Sequence, residues 1–108
     1  MKKPVILLVE HDDVQRGQLH SLLLRQGFEV IALSEAEGIF RLFRQKQDPD
    51  LLVINASLNA TIDGLEVVRL LRQRNRELPV LLLAPNGSEE LAIAALRLGI
   101  TDLSLIHI

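Results

Sequence analysis

The side chains best placed to do chemistry in this chain come directly after two short apolar runs. The first group is acidic apart from one imidazole: Glu10, His11, Asp12 and Asp13. It follows an apolar run at residues 5–9, and Asn55 ends a second apolar run at residues 51–54. Function gathers just beyond the carboxyl ends of the central strands of open parallel sheets. The chemistry is therefore expected at these residues, and Asn55 offers an amide there rather than a carboxylate.

The acidic group has two interpretations. An imidazole among carboxylates suits transition-metal ions, which are softer than Mg²⁺. The simpler interpretation is that these residues end a strand and begin a helix, where the helix dipole favours acidic side chains. We favour the second interpretation and expect neither a metal nor another cofactor. No Ser-His-Asp or Cys-His constellation can be assembled from the rest of the chain.

The elements that position these residues follow from apolar patterning. Continuous apolar runs bounded by turn residues predict five buried parallel strands, at residues 5–9, 28–33, 51–54, 79–84 and 101–108. Four amphipathic helices are expected between them. Such alternation indicates right-handed crossovers and a sheet covered on both faces.

Details of the first two helices can also be predicted. The first helix begins at Asp12 or Asp13 and stops at Gly27. Its inward face is expected to carry three leucines: Leu19, Leu22 and Leu23. Ser34 and Glu37 have the spacing of a capping box for the second helix.

Composition limits the class of protein. The 108 residues form one domain, 1–108, and nearly half of them are apolar. The chain has no cysteine, which excludes disulfides and thiol chemistry. A formal net charge of −2 gives no basic field for nucleic acid. No signal peptide or membrane span is predicted, so a soluble, cytoplasmic protein is expected.

Taken together, the order and spacing of these segments resemble a response-regulator receiver domain of two-component signal transduction. The resemblance rests on motifs along the whole chain: 6–10 (Ile-Leu-Leu-Val-Glu), Arg16, 27–30 (Gly-Phe-Glu-Val), 49–51 (Pro-Asp-Leu), 63–67 (Asp-Gly-Leu-Glu-Val), 78–80 (Leu-Pro-Val), and Gly99 with 101–102 (Thr-Asp). It implies a flavodoxin-like (CheY-like), doubly wound five-stranded parallel sheet with strand order 2-1-3-4-5. We expect the family's fifth helix to be missing and the domain to be truncated after the fifth strand.

The resemblance also implies a phosphorelay site, from which this chain departs. Receivers take a phosphoryl group from a histidine kinase onto an aspartate after the third strand, with Mg²⁺, a hydroxyl and a lysine around it. Asn55 occupies the phosphoacceptor position, and an amide cannot form the acyl phosphate. The remaining pocket positions are degenerate as well: Glu10 and His11 for the acidic pair, Ala84 for the hydroxyl and Ile106 for the lysine. In the family, the fifth strand carries an aromatic residue that takes part in switching, and Leu103 occupies that position here. The chain therefore resembles a pseudo-receiver.

The expected function is a phosphorylation-independent protein-interaction module, not an enzyme. The interaction surface is predicted on the fourth helix and fifth strand, at Ala92, Ile93, Leu96, Arg97 and Leu103. Extra apolar residues on that helix suggest a protein partner, an output domain or a weak homodimer, although a helix buried under a neighbouring segment explains them equally well. Two alternatives remain open: a conventional phosphoacceptor that uses another carboxylate such as Asp12, and a small-ligand-binding regulatory module.

Overall fold

The chain forms a five-stranded parallel sheet with helices on both faces. The structure is a computed structural model, which describes residues 3–45, 48–55, 64–74, 77–84 and 102–105. Its elements are β1 (Val5–Val9), α1 (Asp13–Arg25), β2 (Glu29–Leu33), α2 (Glu37–Arg44), β3 (Leu51–Asn55), α3 (Gly64–Arg72), β4 (Val80–Ala84) and β5 (Asp102–Leu105). The strand order is β2-β1-β3-β4-β5, and every pairing is parallel. The predicted doubly wound fold and strand order are confirmed.

The central strands are buried because both faces of the sheet are covered. Side chains that alternate along β1 and β3 enter two separate apolar clusters. Leu7, Val9, Leu52 and Ile54 join residues of α2 and α3 on one face. On the other face, β-strand residues such as Ile6 and Val53 lie under Leu19 and Leu23 of α1. The sheet therefore holds the ends of β1 and β3 rigidly side by side.

Helix α1 begins and ends as its sequence predicts. Asp12 is the N-cap, and its Oδ2 accepts a hydrogen bond from the Gln15 backbone N–H at 2.7 Å. Past the helix, Gly27 has a φ of 93°. This left-handed backbone favours glycine, which has no Cβ to clash. The Phe28 N–H then donates to the Leu23 carbonyl at 3.2 Å, which closes the helix end.

Two local predictions are wrong. Leu22 is not on the inward face of α1, since it is 48% exposed while Leu19 and Leu23 pack against the sheet. Ser34 and Glu37 do not form a capping box, because the cap position of α2 is Ala36 and no side chain bonds there. Ala36 has helical dihedral angles and is buried in the core, so the chain already turns at that residue.

An arginine fixes the C-terminal end of α3. Arg72 donates from a guanidinium nitrogen to the Leu78 carbonyl at 2.7 Å, just before β4. Burial lowers the pKa of the Arg72 guanidinium from its ordinary value, because desolvation disfavours the charged form.

None of the helices in the described part of the chain is both long and apolar enough to cross a bilayer.

Candidate functional site at the carboxyl edge of the sheet

The site is centred on a buried hydrogen bond between β1 and β3. Glu10 directly follows β1 and is 1% exposed, and Asn55 ends β3 and is 5% exposed. The Asn55 side-chain amide (Nδ2) donates to Glu10 Oε1 at 2.7 Å. The other Glu10 oxygen, Oε2, accepts from the Asp12 backbone N–H at 3.2 Å. Both oxygens of this buried carboxylate are therefore bound to protein donors.

The main chain of Glu10 is held as firmly as its side chain. Its N–H donates to the Leu33 carbonyl at the end of β2, at 3.0 Å. Its carbonyl accepts from the Arg16 guanidinium at 3.0 Å, and the His11 carbonyl accepts from the same nitrogen at 3.4 Å. The second Arg16 nitrogen pairs with Asp13 at 2.6 Å. One arginine thus clamps the loop between β1 and α1.

The role of Arg16 was not anticipated from sequence. The available signal was the spacing, because Asp13 and Arg16 stand three residues apart on a helix and can pair. The contacts that matter, to the two backbone carbonyls, follow from the path of the preceding loop. Residue spacing alone does not reveal that path.

The residues of the acidic group that could have formed a transition-metal site do not converge. Glu10 points into the protein, whereas His11, Asp12 and Asp13 are exposed. Asp12 is occupied as the helix cap and Asp13 pairs with Arg16. Within residues 3–45, 48–55, 64–74, 77–84 and 102–105, no three His, Asp or Glu side chains are grouped so that they could hold a metal ion.

An open cleft lies beside this site. Its walls come from the β1–α1 and β2–α2 loops: His11, Asp12, Asp13, Val14, Ser34 and Glu35. The cleft has a volume of about 590 Å³ and opens widely to solvent. Three of its six lining side chains are carboxylates. Ser34, which does not cap α2, contributes to this wall instead.

The other predicted site residues are only partly placed. Ala84 ends β4, and its backbone pairs with Leu105 of β5. Leu103 lies within β5 and pairs with Leu82. The remaining predicted positions lie outside the described residues: Ala92, Ile93, Leu96, Arg97 and Ile106.

Comparison with known proteins identifies the family. The model of the response regulator receiver domain matches residues 6–104. The chain belongs to this family. Receiver domains are signalling modules of two-component systems, so the chain is a two-component receiver domain.

The receiver domain resembles longer regulators. It is 37% identical over 99 residues to the transcriptional regulatory protein AfsQ1 of Streptomyces coelicolor, a match that covers 92% of this chain and 43% of AfsQ1. The chain spans less than half the length of the curated relatives it matches.

Solved receiver structures share the fold. The non-phosphorylated HemR receiver domain from Leptospira biflexa superposes with a TM-score of 0.86 at 23% identity, covering 95% of this chain and 82% of that one. The response regulator TrrA from Thermotoga maritima, in complex with Mg²⁺ and BeF, gives a TM-score of 0.83 at 19% identity, covering 97% and 88% of the two chains. At these identities the likeness concerns the fold alone.

Proposed function

We propose that this receiver domain signals through protein contacts without being phosphorylated. The observation that carries the proposal is the 2.7 Å hydrogen bond from Asn55 to the buried Glu10. The family resemblance assigns Asn55 to the phosphoacceptor position at the end of the third strand. An acyl phosphate requires a carboxylate nucleophile. The Asn55 amide carries no negative charge, and its nitrogen is committed to donating to Glu10.

The same contact leaves few oxygen ligands for Mg²⁺, the ion that members of the family hold at this point. Mg²⁺ requires near-octahedral oxygen ligands, including one or two carboxylates. Glu10 Oε1 faces an amide N–H and Oε2 faces a backbone N–H. The next residue along the chain, His11, is an exposed imidazole. This donor set does not fit the ion, and we infer that the hydrogen bonds take the place of a metal in holding Glu10.

Further positions support the loss of phosphotransfer. In the family a hydroxyl after the fourth strand and a lysine after the fifth contact the phosphoryl group, because donors and cations stabilise the transferring charge. The corresponding residues here are Ala84 and Ile106. Neither residue can donate a side-chain hydrogen bond or carry a positive charge.

The competing hypothesis of a substitute carboxylate at Asp12 is disfavoured by the geometry. Asp12 Oδ2 accepts from the Gln15 N–H at 2.7 Å and caps α1. A phosphoryl group on that carboxylate would compete with a contact worth about 0.5–2 kcal/mol to the helix. Among the described residues, the small-ligand hypothesis is supported by the open acidic cleft, where no side chain marks a particular ligand.

The signalling output is proposed to be a protein contact at the fourth helix and fifth strand. The predicted residues are Ala92, Ile93, Leu96, Arg97 and Leu103, where a protein partner, an output domain or a second copy would bind. Similarity to AfsQ1 supports a role in gene regulation for a longer protein that carries this domain. No role in nucleic-acid binding is proposed for the domain itself, and its cytoplasmic location stays a prediction.

The test is a titration with beryllofluoride and Mg²⁺, followed by amide NMR. Only a complete pocket of carboxylate and Mg²⁺ is expected to give saturable shifts, so none is expected here. TrrA, which was crystallised with Mg²⁺ and BeF, serves as the positive control. Saturable shifts at the ends of β1 and β3 would refute the proposal. If the shifts disappear in an Asp12→Asn variant, the substitute-carboxylate hypothesis is favoured instead.

A further inference from the structure

A single guanidinium group binds three oxygens of the loop between β1 and α1. Arg16 donates from Nη1 to the Glu10 carbonyl at 3.0 Å and to the His11 carbonyl at 3.4 Å. Its Nη2 pairs with the Asp13 carboxylate at 2.6 Å. Arginine suits such a set of acceptors, because its donors are held in one plane and its charge is permanent. The positive charge that organises this loop is therefore attached to the first turns of α1.

One peptide unit connects the guanidinium to the buried carboxylate. We call the peptide between His11 and Asp12 the linking peptide. Its carbonyl accepts from Arg16, and its N–H, that of Asp12, donates to Glu10 Oε2 at 3.2 Å. In the described part of the chain every peptide bond is trans, and a planar trans peptide directs its C=O and N–H to opposite sides. Arg16 and the Glu10 carboxylate thus hold opposite sides of one rigid unit.

The linking peptide also determines what Asn55 meets. The Asp12 N–H binds Oε2 of Glu10, and Asn55 Nδ2 donates to Oε1 at 2.7 Å. Glu10 is only 1% exposed, so water cannot replace a donor that turns away. Rotation of the linking peptide would take the donor from Oε2 and release one side of the carboxylate. The orientation of the contact to Asn55 therefore depends on how the linking peptide is held.

We propose that Arg16 is a positioning residue for the buried contact between Glu10 and Asn55. Its guanidinium fixes the carbonyl of the linking peptide, which aims the opposite N–H at the Glu10 carboxylate. The proposal rests on the proposed function, in which hydrogen bonds and not a metal ion hold Glu10. It also gives a route by which a shift in the first turns of α1 would reach the end of β3.

The simpler role for Arg16 is to stabilise α1 through its pair with Asp13, three residues earlier. The Asp13 side chain is 87% exposed, and exposed ion pairs contribute little to stability. A purely stabilising arginine would protect the whole fold by the same factor. A positioning residue affects the Asp12 N–H and the Asn55 amide more than the rest of the sheet.

Amide hydrogen exchange of the full chain, measured by NMR without Mg²⁺, separates the two roles. Arg16→Ala removes the guanidinium and keeps a good helix former. The protection factor of the Asp12 N–H should fall roughly tenfold or more, as expected when a hydrogen bond to a carboxylate is lost. The side-chain amide resonances of Asn55 should shift. The Leu52 N–H, which donates to the Pro79 carbonyl within the sheet, should lose much less protection.

Chemical rescue tests whether the missing guanidinium is the cause. Methylguanidinium, added to Arg16→Ala far below denaturing concentrations, should restore protection of the Asp12 N–H and return the Asn55 resonances towards wild type. Sodium chloride at the same ionic strength should restore neither. Arg25→Ala is the matched control, because Arg25 lies on the same helix and donates to the Ser21 carbonyl. It should leave the Asp12 and Asn55 signals unchanged.

Two further variants complete the test. Asp13→Ala removes the ion pair and leaves the contacts to the carbonyls, so it should affect the Asp12 N–H far less than Arg16→Ala. If Arg16→Ala does not fold, Arg16→Lys is measured instead. Its ammonium is a point charge without the planar fork, so protection of the Asp12 N–H should still fall below wild type.

Several results would overturn the proposal. They are an unchanged Asp12 N–H in Arg16→Ala, a loss of protection no greater than that of Leu52, an equal loss in Asp13→Ala, or restoration by sodium chloride as complete as by methylguanidinium. Wild-type protection in Arg16→Lys would overturn it where Arg16→Ala cannot be measured. None of these measurements uses beryllofluoride, so the positioning role and the proposed function can fail separately.

Discussion

Replacing Asn55 with aspartate probes the buried contact directly. In the wild type the amide of Asn55 donates to Glu10 Oε1 at 2.7 Å, with both residues nearly inaccessible. Asn55→Asp retains the size of the side chain but sets one carboxylate oxygen against another. Two like charges that share such a site cannot both stay ionised without a large penalty. The variant should therefore be less stable and should bind a proton on folding.

The magnitude follows from the geometry. Two carboxylate charges about 4 Å apart repel by about 4 kcal/mol at an effective dielectric constant of about 20. Protonating one of them relieves the repulsion and restores a donor between them. At pH 7, about three units above an unfolded carboxyl pKa of about 4, that protonation costs about 4 kcal/mol. Either route gives an expected loss of about 4 kcal/mol at neutral pH.

The pH dependence has a definite sign. The carboxyl pair of the folded variant has a pKa raised above its unfolded value, so the folded state binds more protons than the unfolded state. The stability contributed by the shared proton is present at low pH and is lost as pH rises through the raised pKa. The gap to wild type should widen by about 1.4 kcal/mol per pH unit between about pH 5 and pH 7. Urea unfolding at several pH values measures it.

A double variant is the matched control. Adding Glu10→Gln to Asn55→Asp exchanges the amide and the carboxylate. In the double variant the amide nitrogen at position 10 can donate to the carboxylate at position 55. The amide oxygen at position 10 can accept from the Asp12 N–H, which in the wild type donates to Glu10 Oε2. The double variant should recover most of the lost stability and lose the added pH slope. If Asn55→Asp alone is as stable as wild type and equally flat with pH, the account of this contact is wrong.

Other predictions concern the frame around the site. Gly17→Ala should stabilise α1 by about 1 kcal/mol, because the site is exposed and open and glycine is a poor helix former. Gly27→Ala should instead destabilise the fold by about 1–2 kcal/mol, since Gly27 has a φ of 93°. Thermal unfolding of both variants measures the two effects, and unfolding temperatures that shift in the same direction would contradict the prediction. Asp50 Oδ2 accepts from the Val5 N–H at 2.7 Å, so Asp50→Ala should cost about 1 kcal/mol in denaturant unfolding. Asp50→Asn keeps an acceptor and should lose clearly less stability than Asp50→Ala. An equal loss in the two variants would mean that the hydrogen bond to the Val5 N–H does not cause the destabilisation.

The sheet could be predicted from sequence because its signal is strong and local. Runs such as 5–9 and 51–54 are apolar throughout, which is typical of strands buried on both faces. The helix limits at Asp12 and Gly27 follow from side-chain and backbone chemistry at single residues. The family resemblance then supplied the strand order.

The errors arose where tertiary packing outweighs a local pattern. Leu22 shares a helical stripe with Leu19 and Leu23, but at 100° per residue it lies at the edge of that stripe, and it is exposed while the other two pack against the sheet. Ser34 and Glu37 have capping spacing, yet burial of Ala36 in the core sets where α2 begins. Tertiary contacts of this kind leave no trace in residue spacing.

The site itself was half predictable. The parallel topology brings residues 10 and 55 to one edge, so their proximity could be expected. The direction of the hydrogen bond between these residues could not be predicted. It depends on the side-chain rotamers and on which Glu10 oxygen accepts from the Asp12 N–H. The clamp by Arg16 on two carbonyls depends in the same way on the loop path.

The central claim is that this receiver domain is not phosphorylated, and intact-mass spectrometry tests it most directly. The chain is incubated with acetyl phosphate and Mg²⁺, beside a receiver that accepts phosphate under the same conditions. No gain of a phosphoryl group is expected for the wild type or for Asn55→Asp, since His11, Ala84 and Ile106 still withhold metal and phosphoryl contacts. A stoichiometric gain by the wild type that disappears when Asp12 or Asp13 is replaced would contradict the account, and ready labelling of Asn55→Asp would show that the rest of the pocket is intact.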